Sequence, residues 1–185
     1  PEYLHSLIAK NVFSSGGVLK LTPSVEETAE LVEFELNNQL PRKFTLEVTE
    51  ECTLRCKYCF YTTEDKNKRR HSFAKMQENT AYKAIDLYFS RYTSLINQIS
   101  EKKIGEVSKS LFPNLCWWGG EPFLNFSLMK KTKEYIESLD WESYGISKRD
   151  IFYNVVTNFT VFNEEILNFL VDNNIYVQIS LDGDK

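Results

Sequence analysis

Cys52, Cys56 and Cys59 are the residues of this chain best equipped for chemistry, because three thiols fall within eight residues of one another. The run reads Cys52-Thr-Leu-Arg-Cys56-Lys-Tyr-Cys59, a C-x3-C-x2-C spacing. Clustered thiols in a chain without a secretory pattern point to metal or redox chemistry rather than to a disulfide framework. Thiolates are the usual ligands of iron–sulfur clusters, normally four to a cube. Three thiolates hold three irons and leave the fourth open to an exogenous ligand. A closed zinc site wants four ligands, and the nearest candidate is His71, twelve residues past Cys59. On the residues alone, a zinc site completed by His71 and three unrelated buried thiols stay open as alternatives.

The fourth cysteine, Cys116, stands beside Trp117 and Trp118 in a strand-like stretch and is expected to be a small buried hydrophobe. The two tryptophans are expected to pack core on opposite faces of that strand. His5 and His71 carry no partner pattern, and neither is given a role. The chain's 185 residues are 42% hydrophobic and 26% charged, as an ordinary globular domain requires. A formal net charge of −4 argues against a nucleic-acid partner, which needs a basic excess. The basic run Lys66, Lys68, Arg69 and Arg70 follows Glu64 and Asp65 and reads as a solvated loop. No apolar stretch approaches the ~20 residues of a membrane span, so no membrane partner is expected. The unpaired thiols imply a reducing cytoplasm.

Positioning the thiols is the task of the surrounding elements. Ser24 and Glu27 form a capping box opening a helix to about Asn38, where Pro41 stops the pattern. Residues 1–41 therefore read as a separate N-terminal helical extension, with a turn at 14–17. From residue 42 the periodicity alternates between two and 3.6. Phe44, Leu46 and Val48 mark a strand. Ala81, Ile85, Tyr88, Tyr92, Leu95 and Ile99 mark an amphipathic helix. Strands follow at 114–118, 151–157 and 175–181, with helices at 126–139 and 164–171. Such alternation gives an α/β fold with a parallel sheet. Four units do not close an eight-strand barrel, and the chain stops directly after the fourth strand. Starting at Pro1 rather than Met, it is expected to be the front part of a larger barrel.

Three further polar motifs close these strands: Gly119-Gly120-Glu121-Pro122, Thr157-Asn158-Phe159 and Ser180-Leu181-Asp182-Gly183. Each alone is an ordinary turn. Together with the cysteines they place four motifs at the carboxyl ends of four successive strands, the edge where parallel sheets bind ligands. By alternation, Tyr176, Gln178 and Ser180 share the strand face opposite the aliphatic row and are expected to face a barrel lumen.

In that order the motifs resemble the radical S-adenosylmethionine (SAM) superfamily, over about residues 42–185. The resemblance implies a partial (β/α) parallel barrel with Cys52, Cys56 and Cys59 holding a [4Fe–4S] cluster, whose open iron is chelated by SAM. It implies SAM contacts from Tyr58 near the adenine, from Gly119, Gly120 and Glu121 to the amino group, from Asn158, and from Ser180 near the ribose. Phe159 stands where related enzymes often have glycine. The family's later motifs, including a carboxylate-binding arginine, are expected beyond residue 185. The implied activity is reductive cleavage of SAM to a 5′-deoxyadenosyl radical that abstracts hydrogen from substrate. A low-potential flavodoxin- or ferredoxin-like donor is the implied electron source. Ser-Leu-Asp-Gly and the cysteine run look most like members with SPASM or twitch extensions, which modify peptides or proteins. Residues 1–41 would then be the tail of a leader-peptide-recognition region or, alternatively, an N-terminal helix plugging the bottom of the barrel. A cluster-bearing electron-transfer or sensor protein, and an inert cluster-free fragment, are the competing readings.

Overall fold

A computed structural model describes residues 39–62, 70–102 and 112–181 of the chain. The helix expected at 24–38, the turn at 14–17, most of the basic run, and Asp182 with Gly183 lie outside the described residues.

Among the described residues the strands are β1 (Lys43–Thr49), β2 (Asn114–Gly119), β3 (Phe152–Thr157) and β4 (Tyr176–Ile179). They form one parallel sheet in the order β1-β2-β3-β4. Helices α1 (Glu78–Lys102), α2 (Phe126–Ser138) and α3 (Glu164–Asp172) provide the crossovers. The α/β, partial (β/α) parallel barrel expected from the sequence is therefore the architecture found.

Side-chain alternation decides which face meets the helices. Leu46 and Val48 of β1, Leu115 and Trp117 of β2, and Tyr153 and Val155 of β3 are all buried in one core cluster. Ala81, Ile85, Tyr92 and Ile96 from α1, and Leu128, Met129 and Ile136 from α2, close over them. Of the α1 stripe read from the sequence, Ala81, Ile85 and Tyr92 belong to this face, Leu95 is buried and Tyr88 is partly buried beside it, while the side chain of Ile99 lies outside the described residues. At the centre Trp117 is fully enclosed, stacked on Tyr153 at 5.7 Å between ring centroids. Its indole N–H donates to Thr132 Oγ1 at 2.9 Å, and that hydroxyl donates to the Leu128 carbonyl of its own helix at 2.9 Å. A buried donor thus gains the partner that its burial demands.

β4 has only β3 as a described neighbour, and its residues show it. Val177 is half-buried, but Tyr176, Gln178 and Ser180 are exposed, as expected of their face. Ile179 and Leu181 are exposed as well, at 49% and 87%. The aliphatic row expected to be buried therefore loses its cover after Val177.

Thr132→Val keeps the volume near Trp117 but strands the indole N–H. Urea unfolding should show a loss of about 1–3 kcal/mol, the usual cost of an unsatisfied buried donor. An unchanged midpoint would mean that the indole bond contributes nothing.

Candidate functional site

The cysteines lie on a loop that leaves β1 and returns to it. Met76 N–H donates to the Val48 carbonyl at 3.0 Å and Glu50 N–H to the Ala74 carbonyl at 2.9 Å, so the excursion starts and finishes on the same rungs. Ser72 Oγ adds a bond to the Glu50 carboxylate at 2.6 Å. Inside the loop, Cys59 N–H donates to the Cys56 carbonyl at 3.0 Å and Thr62 N–H to the Cys59 carbonyl at 2.8 Å. That tight turn brings the second and third thiols to one side. Arg55 folds back to donate to the Cys52 and Leu54 carbonyls at 2.6 and 2.8 Å. All three cysteines are unbridged and half-buried.

The carboxyl end of β2 holds this loop from below. Gly120 N–H donates to the Thr49 carbonyl at 2.9 Å and Glu121 N–H to the Glu51 carbonyl at 2.8 Å. A Cβ at Gly119 would lie 2.2 Å from the Thr49 carbonyl oxygen, and one at Gly120 would lie 2.3 Å from that of Glu51. Both contacts are with backbone, which cannot step aside, so glycine is required at each position. Gly119 also has φ +148°, a conformation other residues rarely adopt.

Glu121, expected from the sequence beside the SAM amino group, is held by the protein's own donors. Its side chain is completely buried and accepts from Thr157 Oγ1 at 2.7 Å, Asn158 N–H at 2.9 Å and Phe123 N–H at 3.3 Å. The carboxylate caps the short helical turn Pro122–Asn125 and ties the end of β2 to the end of β3. Burial pushes its carboxyl pKa up, and the hydrogen bonds from Thr157, Asn158, Phe123 and Phe159 pull it back.

A cavity of about 480 Å³ lies over this edge. Cys52, Cys56 and Cys59 line it together with Tyr58, Gly119, Gly120, Asn158 and Ser180. The three cysteines and at least one residue of each later motif thus meet in one place. The cavity also takes in His71, named from the sequence only as a candidate zinc ligand, and residues that the sequence gave no reason to select. His71 sits with Nε2 3.8 Å from Cys59 Sγ and Nδ1 3.2 Å from the Glu50 carbonyl oxygen. Trp118 lines the cavity beside Tyr61, with ring centroids 5.8 Å apart, instead of filling a core as expected. Tyr61 donates its hydroxyl to Glu47. Cys116 is buried as expected, and burial pushes its thiol pKa up.

The donor set suits an iron–sulfur cube, because three unbridged thiols line one cavity and thiolates are the usual cluster ligands.

A family model for the Radical SAM superfamily matches residues 46–185. The chain belongs to that superfamily. With membership come its two cofactors, a [4Fe–4S] cluster and SAM. Among curated relatives, a cysteine-type anaerobic sulfatase-maturating enzyme of Clostridium novyi is 31% identical over 134 residues, covering 72% of this chain and 30% of that protein. A radical SAM cyclopropyl synthase, TigE, of Paramaledivibacter caminithermalis is 27% identical over 141 residues, covering 75% of this chain and 26% of that protein. The chain thus spans about a third of the length of these relatives or less. A solved structure of native anSMEcpe with bound AdoMet and Cp18Cys peptide shares the fold. Its TM-score is 0.51 at 23% identity, covering 77% of this chain and 32% of that one.

Glu121→Gln tests the buried carboxylate. Its contacts above are all with donors, so an amide NH₂ in its place must face at least one N–H or O–H. Thermal unfolding should show a loss of about 1–3 kcal/mol, and an unchanged melting temperature would dismiss the tie between β2 and β3.

Proposed function

We propose that the protein is a radical SAM enzyme acting on a peptide or protein substrate. The observation that carries this reading is the single cavity whose one wall bears three thiols and whose floor is the carboxyl edge of a parallel sheet. Cys52, Cys56 and Cys59 would hold the cluster. The backbone of Gly119 and Gly120 borders the space for the SAM amino group, with Tyr58 and Ser180 toward the adenine and ribose. Tyr58, 71% exposed, lines the cavity beside the cysteines and offers an aromatic face to a planar base. The chemistry the two cofactors supply when bound is one-electron cleavage of the SAM carbon–sulfur bond, giving methionine and a 5′-deoxyadenosyl radical that abstracts hydrogen.

What the chain's own residues do is position and exclude. Trp118, Tyr61 and Leu54 give the cavity apolar walls, keeping water and bystander hydrogens from a reactive centre. The peptide or protein class is supported by the name of one relative, a sulfatase-maturating enzyme, and by the peptide in the fold neighbour. Low-potential chemistry of this kind requires a flavodoxin- or ferredoxin-like electron donor, and unbridged thiols suit a reducing cytoplasm. No helix among the described residues is long and apolar enough to cross a membrane. Residues 1–41 are read as a separate N-terminal extension, the tail of a leader-recognition region, with the incomplete barrel from 42 to 185.

The test uses the full-length protein reconstituted anaerobically with iron and sulfide, reduced, and mixed with SAM. 5′-Deoxyadenosine should appear by mass spectrometry, and Cys56→Ala should abolish both it and the cluster's iron content. A cluster that forms without 5′-deoxyadenosine under any reductant would instead favour an electron-transfer or sensor protein. Iron content unchanged in Cys56→Ala would remove the ligand assignment.

A further inference from the structure

Asn158 was expected among the SAM contacts, but its side-chain amide points at a cysteine. Nδ2 lies 3.4 Å from Cys52 Sγ and 3.2 Å from Thr53 Oγ1. On the other side, Oδ1 accepts from Thr160 N–H at 2.9 Å and from Thr160 Oγ1 at 2.7 Å. The two threonine hydroxyls are 2.6 Å apart.

The protons of this group can be assigned by counting. Thr160 Oγ1 has one hydrogen, and it goes to Asn158 Oδ1. The bond between the hydroxyls must therefore be donated by Thr53. Thr53 Oγ1 in turn accepts from one hydrogen of Asn158 Nδ2. A closed ring results, in which each group donates to the next. Flipping the amide would set its NH₂ against the Thr160 N–H and hydroxyl, donor against donors, so the orientation is fixed. The second Nδ2 hydrogen is left for Cys52 Sγ. Leu54 N–H also donates to that sulfur at 3.4 Å, so Cys52 Sγ has two N–H donors around it.

We propose that Asn158 is a positioning residue for Cys52, donating an N–H···S bond that draws electron density from the thiolate and raises the reduction potential of the cluster. The inference rests on the cluster assignment above. Hydrogen bonds to cluster sulfurs are among the main determinants of potential, as partners behind metal ligands generally tune the metal. The ring latches the β3–α3 connection to the cysteine loop, so the donor is delivered from a different strand than the ligand it serves. Asn158 N–H is itself held by the buried Glu121, which fixes the height of the amide above the sheet.

Asn158→Asp is the sharpest variant. It keeps the shape and the clamp of the Thr160 N–H on Oδ1, but it removes the donor to Cys52, leaves two hydroxyl hydrogens for the three contacts of the ring, and adds a negative charge beside the sulfur. Asn158→Ala removes the donor without adding charge. In the full-length reconstituted protein, both should keep full iron and sulfide content. Their midpoint potentials, from redox titration followed by electron paramagnetic resonance, should be more negative than wild type. A tenfold change in the reduction equilibrium, about 59 mV for one electron, is the scale expected for Asn158→Ala. Thr160→Val, which keeps the backbone N–H clamp on Oδ1, should shift the potential less. Potentials and spectra of both Asn158 variants equal to wild type would overturn the proposal while leaving the cluster in place. Cluster loss confined to Asn158→Ala would leave Asn158→Asp to decide. A wild-type protein that takes up no cluster would instead overturn the cluster reading itself.

Discussion

Backbone pairing between the end of β2 and the start of the cysteine loop is the constraint on which the site depends. Gly120 and Glu121 donate to the carbonyls of Thr49 and Glu51, directly before Cys52. Side chains are excluded there by backbone at 2.2–2.3 Å from the notional Cβ positions. The loop that carries the thiols is therefore laid on β2 as though it prolonged β1. Without that contact the cysteine loop would lose its tie to β2 and keep the rungs at Val48 and Glu50, the bonds to Glu50 and the contacts from Asn158 and Thr160.

Glu121 extends the same logic by one strand. A carboxylate buried beneath a site is costly unless its oxygens are satisfied, and here three donors from two connections converge on it. The strands' carboxyl ends are thus fixed by hydrogen bonds to a group that never meets solvent. Two layers follow. The upper one, of Cys52, Gly119, Gly120, Asn158 and Ser180, faces the cavity. The lower one is Glu121, which holds the upper one still through Thr157, itself on the cavity wall, and Asn158, as a site that demands preorganised geometry requires.

Phe159 shows what this fixation costs. It has φ +56°, in the left-handed region that bulky side chains avoid. Its N–H donates to Thr157 Oγ1 at 2.8 Å, so the turn cannot relax without disturbing the hydroxyl that also serves Glu121. The ring recovers part of the cost by packing edge-on to Phe123 at 6.2 Å and stacking on Phe162 at 5.5 Å. The backbone conformation explains why glycine suits this position in related enzymes: the turn demands positive φ, and the side chain is secondary.

Periodicity and spacing determined a great deal here. The alternation of Phe44, Leu46 and Val48, the stripe on α1 and the order of strands and helices follow from local sequence, because each element must bury one face. The cysteine spacing and the motifs at strand ends located the cavity for the same reason: parallel strands deliver their carboxyl ends to one edge. Tertiary structure alone decided which atoms face it. The Glu121 carboxylate is buried where donors from Thr157, Asn158 and Phe123 meet it, a fact no spacing encodes. His71, Trp118, Thr53 and Thr160 joined the site through contacts spanning 12 to 107 residues of sequence or through strand facing, and nothing in their local pattern marks them. Sequence chose the elements and the edge, because those follow from short-range periodicity. Only the folded chain, by bringing distant donors and acceptors within hydrogen-bond reach, decided what each side chain does there.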